Sequence, residues 1–152
     1  MPPKTTPVRH EFVEFIPETL AERVLYVSIP YNTIAHRCLC GCDNKVITPL
    51  SPTDWKIIYD GKSVSLRPSV GSWNLRCRSH YVIEGNIAKW AESWSTEQVA
   101  EERERDHAAK AHYYGRPAAA QGAAPADESS KSAVSEPRSS LAMRLARLLG
   151  LG

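Results

Sequence analysis

No stretch of about 18 uncharged apolar residues occurs anywhere in the 152-residue sequence, so no membrane-spanning helix is expected. The opening residues, MPPKTTPVRHEF, are polar and proline-rich, unlike the apolar segment of a secretory signal, and the chain is read as cytoplasmic. Strong charge of either sign is also missing. The formal net charge is +2, with 11 basic against 8 acidic side chains in residues 1–90 and 8 against 9 in residues 91–152. Neither half carries the basic excess of a dedicated nucleic-acid binder. Aromatic residues are absent after Gly115, where Ala, Ser, Pro and Gly take over. The part able to build a core is therefore about 80 residues, a size at which apolar burial is marginal and a disulfide or structural metal commonly compensates.

Cysteine is scarce, with four residues in all, and three of them fall in His36-Arg37-Cys38-Leu39-Cys40-Gly41-Cys42. The fourth, Cys77, precedes His80 in CRSH. In a reducing compartment, clustered cysteines bind metal more often than they form disulfides. Structural zinc takes four Cys or His ligands, usually as two close pairs from separate parts of the chain. Cys77-x-x-His80 has the spacing of one such pair. The cluster supplies the other only if it bends, because alternate side chains of an extended strand start nearly 7 Å apart at roughly 3.3 Å of rise per residue. Gly41 is the residue that can turn the chain there. Six candidates result: His36, Cys38, Cys40, Cys42, Cys77 and His80. The preferred set is Cys40, Cys42, Cys77 and His80 around Zn2+, with Cys38 and His36 as a spare ligand or a support for one. An iron cluster of two cysteines and two histidines ranks below zinc, since it leaves two cysteines over.

The rest of the core reads as β structure. RHEFVEFI (9–16) and VLYVSI (24–29) are short β-branched and aromatic runs, and KVIT (45–48) is a third. DWKIIYDGKSVSL (54–66) alternates on both sides of Asp60-Gly61, which suits a two-residue hairpin turn. HYVIEGNIAKW (80–90) is a second hairpin turning at Glu84-Gly85-Asn86. From Ser95 the pattern becomes helical: Ser95-Thr96-Glu97-Gln98 reads as a capping box before a run of charged helix formers. The fold class is thus mainly β (small α+β), a compact antiparallel β zinc-binding domain followed by a charged helix and a disordered tail. The expected boundaries are a disordered arm at 1–8, the zinc-binding domain at 9–91, the helix at 95–114, a disordered linker at 115–138 and a short amphipathic Leu/Arg helix at 139–149.

Between Arg9 and Ala91 the words RHEFVEFIPETL, LYVSI, AHRCLCGC, VITPLSPTDW, SLRPSVGSW and CRSHYVI resemble a bacterial family of small cysteine/histidine-rich proteins of unknown function. The resemblance implies a zinc site on the HxCxCGC and CxSH words. It also implies a setting among genes for ubiquitin-like proteins with their activating and deconjugating enzymes, and hence protein partners from such a system. It assigns no activity.

The residues point first to a zinc-stabilised protein-interaction module, an accessory or ligase-like adaptor in ubiquitin-like conjugation, with a closed and inert metal site. A zinc-dependent hydrolase is the alternative, with an open metal position and Asp43, Asp54 or His36 as base. Thiol chemistry at a cysteine left off the metal, activated by Arg37, is a third reading. Trp55, Trp73, Trp90 and Trp94 are taken as core more readily than as a binding surface. Ser69, in SLRPSVGSW, is taken as part of a tight turn near the metal.

Overall fold

The computed structural model describes residues 4–115; the expected linker and the expected Leu/Arg helix lie outside the described residues. Nine strands and one helix follow in order: β1 (Thr5–Pro7), β2 (Arg9–Phe12), β3 (Val24–Ser28), β4 (Thr33–Arg37), β5 (Lys45–Pro49), β6 (Lys56–Tyr59), β7 (Val64–Gly71), β8 (His80–Glu84), β9 (Ile87–Trp90) and α1 (Thr96–Tyr114). The fold is mainly β, as the alternating sequence patterns require. A five-stranded antiparallel sheet has the order β1-β9-β8-β7-β6, and a four-stranded sheet has the order β2-β3-β4-β5. Where the sequence suggested a disordered arm at 1–8, Thr5–Pro7 pair with Lys89–Ile87 of β9.

The two sheets share one core. Leu25, Val27, Ile34 and Val46 from the smaller sheet pack with Val64, Leu66, Val70, Tyr81, Ile83 and Ala88 from the larger. All five residues of β3 are buried, which calls for cover on both faces. The second cover comes from the connection between β2 and β3, a parallel pair. Parallel neighbours need a long crossover, and here residues 13–23 place Val13, Ile16 and Leu20 against Val24, Tyr26 and Ala35.

Two hairpins build the half that carries the site. Tyr59 pairs with Val64, so the β6–β7 loop has four residues and not the two anticipated. The Asp60 carboxylate accepts the backbone N–H groups of Lys62 and Ser63 and the Ser63 hydroxyl, which stabilises the wider turn. Between β8 and β9, Glu84 pairs with Ile87, and Gly85 and Asn86 both adopt positive φ, the geometry of a two-residue type I′ turn. The β7–β8 register shifts between Leu66 and Val70, across Arg67-Pro68-Ser69; Pro68 has no N–H to offer a ladder. Beyond this bulge Val70 pairs with Tyr81 and Gly71 with His80.

Candidate active site and cysteine cluster

Alternation along one short stretch divides two chemistries. Tyr81 is fully buried in the core, and Ser79 reaches Cys38 with its hydroxyl at 3.1 Å. Cys77, two residues earlier, joins the same side. The intervening residues face the other way: Arg78 lies over Trp73 at 5.6 Å, and the His80 ring meets Trp73 and Trp94 at 5.0 and 5.1 Å. Cys77 ends a turn in which the Arg78 N–H donates to the Leu75 carbonyl, and Arg78 has a left-handed backbone at φ +45°; with the chain turning there, Cys77 and His80 point to opposite faces.

On the first face the four cysteine sulfurs lie within 4.8 Å of one another. Cys38 Sγ is 3.3 Å from Cys40 Sγ and 3.9 Å from Cys77 Sγ. Gly41, at φ +86°, makes the bend that brings Cys42 round, and its N–H donates to the Cys38 carbonyl. Arg37, at the end of β4, is ion-paired with Asp43 beyond the bend. Burial pushes the Cys38 and Cys40 thiols up. Cys42 is held down to about 6, chiefly by the side-chain amide of Asn44, which donates to its sulfur at 3.2 Å.

Neither histidine of the six candidates belongs to this group. His36 is fully buried, with Nε2 2.8 Å from the Tyr81 hydroxyl, and burial lowers its pKa to about 4. His80 is turned away and fully engaged: Nε2 is 2.8 Å from Ser69 Oγ, and Nδ1 is 2.6 Å from the Glu92 carbonyl oxygen.

That second arrangement assembles from the register. Ser69 and Gly71 share a face of β7, and His80 sits opposite Gly71, so Ser69 is its diagonal neighbour across the ladder, within side-chain reach. Gly71 leaves space that a side chain would close: a Cβ there would stand 2.4 Å from Trp73 Nε1. Trp55, just before β6, donates its indole N–H to the Ser69 carbonyl at 3.3 Å and so braces the backbone that carries the hydroxyl. The Glu92 carbonyl can only accept, so Nδ1 carries the imidazole proton. Nε2 is then the acceptor for the Ser69 hydroxyl. A hydroxyl, an accepting imidazole nitrogen and a group that fixes the tautomer are the parts of an activated nucleophile.

The pair opens into a cavity of about 270 Å³. Trp55, Pro68, Trp73 and Trp94 line its sheet side, and Val99, Arg103 and Lys110 of α1 line the other. Trp73 and Trp94 stack at 5.4 Å with their planes 17° apart. Three of the four tryptophans thus border the cavity, whereas Trp90 packs edge-on to Tyr81 in the core. The sequence reading takes Ser69 as part of a tight turn near the metal, because its partner is eleven residues away and the Cys77-x-x-His80 spacing marks His80 as a zinc ligand. The signal that was present is a serine directly after Pro68 and two residues before Gly71, where the strand bulges.

Among the described residues no helix is long and apolar enough to cross a membrane. Residues 12–91 match the family described as BubE, bacterial ubiquitination-like system serine protease. No curated protein and no solved structure matches the chain.

Proposed function

We propose, for a chain that belongs to the BubE family of bacterial ubiquitination-like system serine proteases, that Ser69 is the nucleophile and His80 the general base in hydrolysis of an amide or ester bond at the carboxyl end of a ubiquitin-like protein. The observation that carries this is the 2.8 Å contact between Ser69 Oγ and His80 Nε2, with Nδ1 held by the Glu92 carbonyl. As Oγ attacks the substrate carbonyl carbon, its proton passes to Nε2. The bond from that carbon to the leaving nitrogen or oxygen then breaks, and the leaving group takes the proton from Nε2. Water, deprotonated by the same nitrogen, cleaves the acyl-serine ester, releasing a carboxylic acid and free Ser69. The Glu92 carbonyl dipole stabilises the transient imidazolium and keeps the ring in the useful orientation, the role a carboxylate has in a Ser-His-Asp triad. Such proton transfer contributes about 10²–10⁴-fold. This pair favours hydrolysis over the inert adaptor that the cysteines alone suggested.

The four cysteines suit a structural metal. Tetrahedral zinc with Zn–S bonds of about 2.3 Å places sulfurs about 3.8 Å apart, and the Cys38–Cys77 separation is 3.9 Å. A set of four soft thiolates selects zinc or iron over hard cations, and with all four positions filled by protein the site has no place for substrate. Cys38, Cys40, Cys42 and Cys77 are therefore the proposed ligands, with His36 and His80 outside the set.

A fluorophosphonate probe tests the reaction. Covalent labelling of the wild type at Ser69, lost in Ser69→Ala and in His80→Ala, is the expected result. Labelling that is absent, or that survives Ser69→Ala, would overturn it. Zinc content separates the two sites: one ion per chain in wild type, Ser69→Ala and His80→Ala, and less than one in each Cys→Ser variant. Zinc lost on His80→Ala would return that histidine to the metal.

A further inference from the structure

The group that orients His80 comes from residue 92, one residue past the end of the family match at 91. The chain continues through Trp94, which stacks on Trp73 and meets the His80 ring edge-on, and then forms α1. This helix supplies a wall of the cavity that holds Ser69 and His80. Its apolar burial is small, with Val99 as its buried side chain. Arg103 donates to Asn74 Oδ1 at 2.7 Å, and Lys110 Nζ is shared between Asp54 Oδ1 at 2.8 Å and Asp106 Oδ2 of the helix itself at 2.9 Å. Asp54, on the loop before β6, has a side chain only 19% exposed. Arg78 fastens the leading segment from the sheet side, donating to the Trp94 carbonyl at 3.2 Å while its guanidinium covers Trp73.

We infer that residues 92–110 are a positioning clasp: docking of α1, anchored by the Lys110–Asp54 ion pair, holds the Glu92 carbonyl and Trp94 on His80 and so completes the catalytic site. The inference rests on the Ser69–His80 reading. A polar helix with little apolar surface gains little from the core, and elements held by few buried contacts open at low cost. Opening here has a chemical consequence that opening elsewhere lacks. Without the Glu92 carbonyl, Nδ1 loses the acceptor that fixes the tautomer, and Nε2 is no longer dedicated to the Ser69 hydroxyl. The clasp also lines the cavity beside Ser69, so a substrate chain that fills it touches both α1 and the tryptophans.

The test is the second-order labelling rate of Ser69 by a fluorophosphonate probe in the full chain, measured for wild type and, in an Asp106→Asn background that leaves Asp54 as the carboxylate on Lys110, for Lys110→Glu, Asp54→Lys and the double reversal. Each single reversal is expected to slow labelling about tenfold and the double to regain most of it, as coupled charge pairs do in double-mutant cycles. Thermal midpoints and zinc content stay close to wild type, and amide exchange in residues 92–110 accelerates in the single variants. Single variants that label at the wild-type rate overturn the inference while leaving the nucleophile intact; a double variant no faster than the singles does the same. Failure of the wild type to label at all overturns both readings. Should a reversal impair folding, Asn74→Ala removes the bond to Arg103 from outside the cavity and is expected to slow labelling in the same direction, and an unchanged rate there counts against the clasp.

Discussion

At the residue scale, Gly71 is where the site is least tolerant of change. It faces His80 across the ladder, and the Trp73 indole occupies the space a side chain would need. Gly71→Ala forces that ring out of its stack with Trp94, and overpacking of this kind costs about 1–3 kcal/mol. We expect a modest drop in thermal midpoint and a loss of Ser69 labelling of about tenfold or more, because the Trp73 displacement also disturbs the His80 ring. Labelling at the wild-type rate would mean that Trp73 does not support the histidine. Asn86 is a second sensitive position, at φ +62°. Its Oδ1 accepts the Val64 N–H at 2.8 Å and lies 3.1 Å from His10 Nδ1. Asn86→Ala loses both contacts and keeps an unfavourable backbone, so destabilisation of about 1–2 kcal/mol is expected in denaturant titrations.

At the scale of elements, the β6–β7 turn predicts a pH dependence. Backbone hydrogen bonds from Ser63 and Lys62 hold the Asp60 carboxyl down to about 2, from an ordinary value of 3.8. A depressed folded-state value means the folded chain binds that proton less readily than the unfolded one. The stabilisation is therefore complete above about pH 4 and fades as pH falls towards 2. Wild type should unfold at a higher temperature than Asp60→Asn near pH 6, and the gap should narrow between pH 4 and pH 2; a constant gap would assign the turn's stability to its uncharged contacts. Much of this architecture was legible beforehand, because alternation and turn chemistry are local. Asp60-Gly61 marked one hairpin and Gly85-Asn86 the other, although the first turn proved two residues longer. β4 was missed: Thr33–Arg37 runs straight into the cysteine cluster and reads as part of it. The parallel pairing of β2 with β3 is long-range and has no local sign. The Ser69–His80 pair was hidden for the same reason, since it depends on a bulge and on the register of β7 against β8. The spacing of Cys77 and His80 reveals proximity to a metal motif but not the side on which each residue stands.

For the molecule as a whole, a core shared by two small sheets, with one helix adding only Val99, leaves stability leaning on the cysteine cluster. On the proposed zinc reading the metal contributes on the order of 10 kcal/mol, as structural sites do in small domains, so chelation should lower the thermal midpoint by tens of degrees, given the shift of about 4–8 °C per kcal/mol typical of domains this size. Cys77→Ser should match the chelated wild type and gain nothing from added zinc. An unchanged midpoint on chelation would mean that the thiols are ordinary core residues. Because Cys38 follows β4 of the smaller sheet and Cys77 lies between β7 and β8 of the larger, a metal held as proposed would tie the two sheets together, and chelation would release that tie. The stretch from Cys77 to His80 meets two demands at once, a sulfur on one face and an imidazole on the other. The two residues between them are committed as well, Arg78 to the Trp94 carbonyl and Ser79 to Cys38 Sγ. The left-handed turn at Arg78, φ +45°, is what parts the sulfur from the imidazole, so the cysteine cluster and the Ser69–His80 pair share one short length of backbone, and strain set at one end is passed to the other.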